Sequence, residues 1–358
     1  MSDTEPRNPL RRAAGLVVRL AVGGALIWFV FRGTAWGEVF DALWAADAGI
    51  LLVALCSTFC AQLARVQRAV PVVRAATPAP YGAIFRSAQI GLLVNLALPL
   101  RLGDAARAFL MARSIRLPVA KSFMLVGLDR LSDLVGLLVL VGVVLAVLPT
   151  GGAVRLPPGF VPGQEPLVVP AGVLTTFAVL GLVAVAGVGL LLFLLYAKTP
   201  WLVRVAALLA RPLPAAGEER LHRAILDLAD GLHLLRSPSA VFASLAFSLL
   251  AWAFGAFTMT TVLTAFDLPF GWRTPLLMQA MIAAFVLVPV TPGLVGQFHL
   301  PAVVCLLMTL PETPVAEAKA VAVVSHLIGL APVLVLGGFS LIRERIGWRS
   351  LVQGTERG

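Results

Sequence analysis

The sequence predicts an all-α polytopic membrane protein, and three observations carry that expectation. Of its 358 residues, 59% are hydrophobic and only 13% are charged, whereas a soluble domain carries about a quarter charged residues. Several apolar runs exceed the roughly 18 residues needed to cross a bilayer. The basic residues, which give a formal net charge of +10, are distributed unevenly between the loops of the two sides. That charge is read as topology and lipid contact, so nucleic acid is not an expected partner.

Five segments read as full spans, about 13–31, 49–70, 122–149, 168–196 and 238–264. A sixth, about 320–341, carries His326 and Pro332. Arg7, Arg11 and Arg12 precede the first span as in a signal peptide, but no A-x-A site follows, so a retained helix is expected. Two further stretches, about 83–98 and 276–290, are shorter, and each ends in a Pro/Gly break. Each is followed by a second short apolar piece, Ala105–Ala112 and Leu300–Leu310. Short, broken, paired segments are expected to form re-entrant helical hairpins, with eight full spans as the alternative.

The charges fit this arrangement. With the N-terminus in the cytoplasm, 22 of the 28 Lys and Arg residues fall on the cytoplasmic side, Arg65 and Arg68 among them. Four lie on the other side (Arg32, Arg155, Arg273 and Lys319), and Arg19 and Arg130 lie within spans. The bias follows the positive-inside rule and places both termini in the cytoplasm. Residues 1–358 are read as a single integral membrane domain. The Pro/Gly-rich stretch Gly151–Pro166 reads as an irregular external cap. The segment about 198–236 reads as a cytoplasmic amphipathic helix, because Leu221, Ile225, Leu228, Leu232 and Leu235 recur at helical spacing. Its His222 and His233 are read as solvated. Cys56, Cys60 and Cys305 form no metal pattern and are expected to be packing residues.

An internal repeat, about 83–149 and 276–341, relates the two broken segments. Pro99 to Gly103 matches Pro292 to Gly296 as P-x3-G, and Pro118-Val119-Ala120 matches Pro314-Val315-Ala316. Twelve residues beyond each of these later prolines stands a polar residue inside a span, Arg130 or His326. Three crossings lie between the hairpins, so the repeats are expected to be inverted. Inverted repeats with broken helices meeting at the midplane mark transporters.

The polar chemistry gathers at these breaks. Asp104 and Arg107 share a face of the helix after the first break, and Arg101 sits in the break itself. In the following span Asp129, Arg130 and Asp133 lie within about one turn. Ionisable groups at this depth need partners. The cluster is read either as an anionic headgroup site, with Arg101, Arg107 and Arg130 as ligands, or as a salt-bridge network pinning the hairpin. Gln89 and Asn95 are candidates for substrate contact or for satisfying backbone groups freed at the break. On the second hairpin the polar members are Thr291, Gln297 and His299; His299 and His326 are each read as ligand or as packing residue. Pro99, Gly103, Pro289, Pro292, Gly293 and Gly296 are the expected hinge positions. There is no H-E-x-x-H, no Gly-rich phosphate loop, no G-x-S-x-G, and no spaced aspartate run of the membrane CDP-alcohol transferases. No enzymatic activity, cofactor or metal is therefore expected.

At these residues the sequence resembles the lysylphosphatidylglycerol synthase transmembrane-region family, known for the flippase half of the bacterial multiple peptide resistance factor. The resemblance rests on three ordered blocks and covers roughly residues 13–341. Asn95, Pro99, Arg101, Gly103, Asp104 and Arg107 follow N-x3-P-x-R-x-G-[DE]-x-x-R; Asp129, Arg130 and Asp133 follow [ED]-R-x-x-D; Pro289, Pro292, Gly293 and Gly296 follow P-x-x-P-G-x-x-G. Where the family pattern ends in Glu, this chain has His299.

The resemblance implies a lipid flippase or transporter of the bacterial inner membrane, moving an anionic or modified phospholipid or a polyprenyl-phosphate lipid. Its partners would be membrane lipids, with a separately encoded lipid-modifying enzyme and a second copy of the chain as further candidates. The alternatives are a non-transporting accessory protein for such an enzyme and a membrane-embedded lipid-phosphate transferase. In the synthase a soluble aminoacyl-transfer domain follows the membrane part. Here Gly358 comes about 15 residues after the last expected span, so aminoacylation is not expected of this sequence.

Overall fold

The computed structural model describes residues 21, 23–98, 101–147, 154–155, 168–169, 176, 179, 183, 187, 237–287 and 291–344. Among them the chain is helical apart from loops and one antiparallel pairing of Val154–Arg155 with Val168–Val169. The described helices are α1 (23–31), α2 (Trp36–Ala45), α3 (Ala48–Ala76), α4 (Tyr81–Ala97) and α5 (Leu102–Ile115). They continue with α6 (Val119–Val147), α7 (Pro238–Ala265), α8 (Arg273–Val286), α9 (His299–Thr309) and α10 (Val315–Arg343). Most of the expected span about 168–196, the amphipathic segment about 198–236 up to Arg236, most of the external cap, Pro99 and Pro289 lie outside the described residues.

Among the described residues, four stretches are long and apolar enough to cross a membrane: Ala48–Ala76, Pro238–Ala265, Pro292–Thr309 and Val315–Arg343. The chain is thus a multi-pass membrane protein. The third of these reaches spanning length only by counting across a break, because Gly293 turns out of the helix at φ 65°. The regular part, α9, has 11 residues, or about 16 Å against a hydrocarbon core of about 30 Å. Its partner α8 has 14 residues, as has α5, and α4 has 17.

Each half of the molecule has the same order of short helix, break, short helix and long helix, and both long helices, α6 and α10, have 29 residues. The arms of each hairpin pack on each other. Each first arm then leans on the long helix of the other half, α4 on α10 and α8 on α6. The most extensive contact joins α3 to α7. Polar seams of the kind that hold helices together in lipid run along α7. The Ser57 hydroxyl donates to Phe254 O (3.0 Å), the Thr258 hydroxyl donates to Ser57 Oγ (3.0 Å), and Ser244 donates to Ser132 (3.0 Å). On the outer face of α2, Trp36, Phe40 and Trp44 are exposed at four-residue spacing, an aromatic stripe suited to a membrane–water interface. Cys305 is buried as expected, but Cys56 and Cys60 are exposed on α3, where a small apolar side chain suits a lipid-facing surface.

The first hairpin closes through glycine. A Cβ on Gly103 would lie 1.9 Å from Gly91 O and 2.6 Å from Asn95 N, so no other residue fits there. Gly103→Ala is expected to destabilise the fold by roughly 2–4 kcal/mol through backbone displacement. Gly127→Ala, at an open position of α6 with nothing within 4 Å, should be neutral or stabilising by up to ~1 kcal/mol. Thermal unfolding of the detergent-solubilised chain checks both, and equal midpoints for the two variants would contradict the packing described.

Candidate functional site

The site starts from one buried carboxylate. Asp129 on α6 is 1% exposed and accepts from two arginines on two other helices. Arg68 Nε on α3 donates to Asp129 Oδ1 at 2.8 Å, and Arg107 Nη1 on α5 donates to Oδ2 at 2.6 Å. Arg68 also pairs with Asp133, one turn along α6. Arg130 grips Asp104 at the start of α5 through Nε (3.1 Å) and Nη2, and its Nη1 lies 3.8 Å from Asp133 Oδ2. Asp104 and Arg107, which share a face of α5, take different partners on α6. The network ties α3, α5 and α6 into one unit.

The first break is organised by Asn95. Its Oδ1 accepts the Gly103 N–H at 2.8 Å, and its Nδ2 donates to Asp104 Oδ1 at 3.1 Å. Asn95 therefore satisfies a backbone donor that the break exposes, the second of its two expected roles. Arg101 adopts the left-handed region at φ 55°, unfavourable for a non-glycine residue, and donates to Leu287 O beyond the end of α8. The tip of one hairpin thus touches the end of the other hairpin's first arm.

The second break uses histidines. The Gly296 N–H donates to His299 Nδ1 at 3.2 Å, and His326 Nε2 lies 2.9 Å from Gly293 O. A carbonyl only accepts, so Nε2 of His326 carries the hydrogen. The two rings meet edge to face at 4.7 Å, and Phe298 stacks on His326 at 4.9 Å. Gln297 Nε2 donates to Phe285 O across the hairpin, and its Oε1 takes the Thr291 N–H at 3.4 Å. Gln297 and His299, expected at the binding site, are engaged in holding the hairpin's own backbone. His299 thereby supplies an acceptor to that turn.

Between the two hairpins lies a cavity of about 300 Å³. Its polar lining includes Arg65, Asn95, Arg101, Arg130, Gln279 and His326; Leu96, Ile282, Phe298 and Leu330 contribute to its apolar walls. Of the ten expected binding residues, Asn95, Arg101, Arg130 and His326 reach this cavity. Asp104, Arg107, Asp129 and Asp133 stand behind it as charge partners. Sequence reasoning missed Arg65 and Arg68, counted as cytoplasmic topology charges. Both lie within the continuous 29-residue α3, Arg68 buried at 2% exposure and Arg65 on the cavity wall. Their spacing of three inside an apolar run was the available signal. Arg65 has no hydrogen-bond or ion-pair partner among the described residues, although Asp133, Arg68 and Arg130 act on it electrostatically.

Fold and cavity together define a multi-pass α-helical membrane protein with a basic, apolar-walled chamber between two broken hairpins. The chain belongs to the family described as "Lysylphosphatidylglycerol synthase TM region", whose model matches residues 16–337. That membership gives it a membrane lipid-related role. No curated protein matches the chain.

Removing the central charge should unbalance two arginines at once. Asp129→Asn is expected to cost about 3–5 kcal/mol, the effect of breaking a buried ion pair from one side. Asp104 is 20% exposed, and Asp104→Asn should cost less, about 1–2 kcal/mol. Arg65→Gln removes a cation that Asp133 attracts and Arg68 and Arg130 repel, and should stay within about 1 kcal/mol of the parent. Thermal unfolding of the three variants in detergent checks this order.

Proposed function

We propose that the chain is a lipid flippase of the bacterial inner membrane, moving a lipid with an anionic headgroup between leaflets through the cavity between its hairpins. The observation that carries this reading is Arg65 with Arg101, two guanidinium groups on an apolar-walled cavity that no described carboxylate pairs. Guanidinium groups bind phosphate oxygens in a planar, bidentate manner, and they do so best where water is scarce. The apolar lining suits the glycerol and first acyl carbons of a lipid rather than a free ion.

The mechanism follows from how the cavity is built. Its walls come from both halves: Arg65, Asn95, Arg101 and Arg130 from the N-terminal half, and Gln279, Phe298 and His326 from the C-terminal half. In this reading both hairpins are re-entrant, the repeats are inverted, and both termini are cytoplasmic. Each break then exposes helix ends near the midplane, and rocking one half against the other carries the headgroup past them. The Asp104, Asp129 and Asp133 carboxylates hold Arg130, Arg107 and Arg68 in place, leaving Arg65 and Arg101 for the lipid. The chain performs no covalent step; an enzyme that makes or uses the lipid is a separate partner.

Leaflet exchange in proteoliposomes tests the proposal. Fluorescent phosphatidylglycerol, with a quencher confined to the outer leaflet, should exchange at least tenfold faster with the chain than in empty vesicles. Arg65→Gln and Arg101→Gln should each lose most of that acceleration while keeping the parent's unfolding midpoint. Parent-like exchange in both variants would place the path elsewhere.

A further inference from the structure

Among the described residues the charges of the site do not balance, and the imbalance can be counted. Five arginines, Arg65, Arg68, Arg101, Arg107 and Arg130, surround three aspartates. Asp129 serves Arg68 and Arg107, Asp104 serves Arg130, and Asp133 lies between Arg68 and Arg130. Every carboxylate of the cluster is thus engaged by Arg68, Arg107 and Arg130, three cations for three anions. The remaining cations, Arg65 and Arg101, both line the cavity. Arg101 has only a backbone carbonyl, Leu287 O, as hydrogen-bond partner, and Arg65 has none among the described residues. No Asp or Glu lines the cavity among the described residues.

Two positive charges without ion-pair partners beside apolar walls are unfavourable unless a ligand neutralises them. At about 300 Å³ the cavity is at the small end of ligand sites, with room for a single headgroup. A phosphodiester brings one negative charge and leaves one cation unmatched. A phosphomonoester brings up to two, because its second ionisation lies near pH 6. An aminoacylated headgroup adds an ammonium that no lining carboxylate can receive. Resting on the flippase reading above, we infer that the site selects a lipid ending in a phosphomonoester over phosphodiester lipids, and excludes cationic aminoacyl lipids.

Equilibrium binding to the full chain in neutral detergent tests this, by displacement of a fluorescent phosphatidic acid at about pH 8. The competitors are dioctanoyl phosphatidic acid, dioctanoyl phosphatidylglycerol, its lysyl ester, and inorganic phosphate. Phosphatidic acid is expected to compete at least tenfold better than phosphatidylglycerol, with the lysyl ester weaker still. Inorganic phosphate, which lacks the acyl chains that the apolar wall receives, should compete weakest of the anions. Arg65→Gln and Arg101→Gln, each leaving one excess charge, should shrink the monoester preference to about threefold or less, while Arg65→Lys retains it. Equal competition by the mono- and diester, or tightest binding of the lysyl ester, would overturn the charge selection and leave anionic-lipid transport standing. Inorganic phosphate as strong as phosphatidic acid would replace the lipid by a free anion. Failure of every competitor to displace the probe from a folded chain would overturn this inference and the flippase reading together.

Discussion

The carboxylate of Asp129 is the point on which the rest of the site depends. A single buried anion on α6 holds one arginine from α3 and another from α5, so three helices share one electrostatic contact. Lipid offers such charges no solvation, which makes their mutual distances far less adjustable than those of a surface ion pair. Because Asp129, Asp104 and Asp133 engage Arg68, Arg107 and Arg130, the two remaining arginines face the cavity without an ion-pair partner among the described residues. The salt-bridge network that the sequence offered as one of two readings stands behind the wall, and the proposed headgroup site rests on the two arginines that it leaves over.

The two breaks solve the same backbone problem by different chemistry. At the first, Asn95 accepts the Gly103 N–H; at the second, His299 accepts the Gly296 N–H while His326 holds the Gly293 carbonyl. In each hairpin a polar side chain replaces the hydrogen bond that an unbroken helix would have made. Each first arm rests on the other half's long helix, and Arg101 of the first tip reaches the Leu287 carbonyl at the second. A shift of one hairpin is therefore felt directly at the other, the coupling that the proposed rocking of the two halves requires.

Much of this was legible in the sequence, for identifiable reasons. The spans Ala48–Ala76, Pro238–Ala265 and Val315–Arg343 announce themselves by length and apolarity. The breaks announce themselves by proline and glycine, and Asp129-Arg130-x-x-Asp133 by charge inside an apolar run. Two things were not legible. Arg65 and Arg68 sit near the end of an apolar run, where a basic residue ordinarily marks the cytoplasmic boundary. Only the continuation of α3 to Ala76, through Pro71, places them inside the protein. Pairing was also hidden, because Asp104 and Arg107 are neighbours on one helix, yet each finds a closer partner on α6. Spacing along one helix says nothing of what the neighbouring helix presents.

The most direct measurement of the central claim is where a lipid headgroup rests. A phosphatidic acid analogue carrying a photoreactive group next to its phosphate, incorporated with the full chain in nanodiscs and activated by light, would mark its neighbours for peptide mapping. The account predicts adducts on cavity walls, among Leu92 and Leu96 of α4, Ile282 and Val286 of α8, and Leu330 and Val333 of α10. These adducts should fall sharply in Arg65→Gln. Adducts confined to exposed outer surfaces, such as Phe242, Leu327 and Phe339, would contradict it.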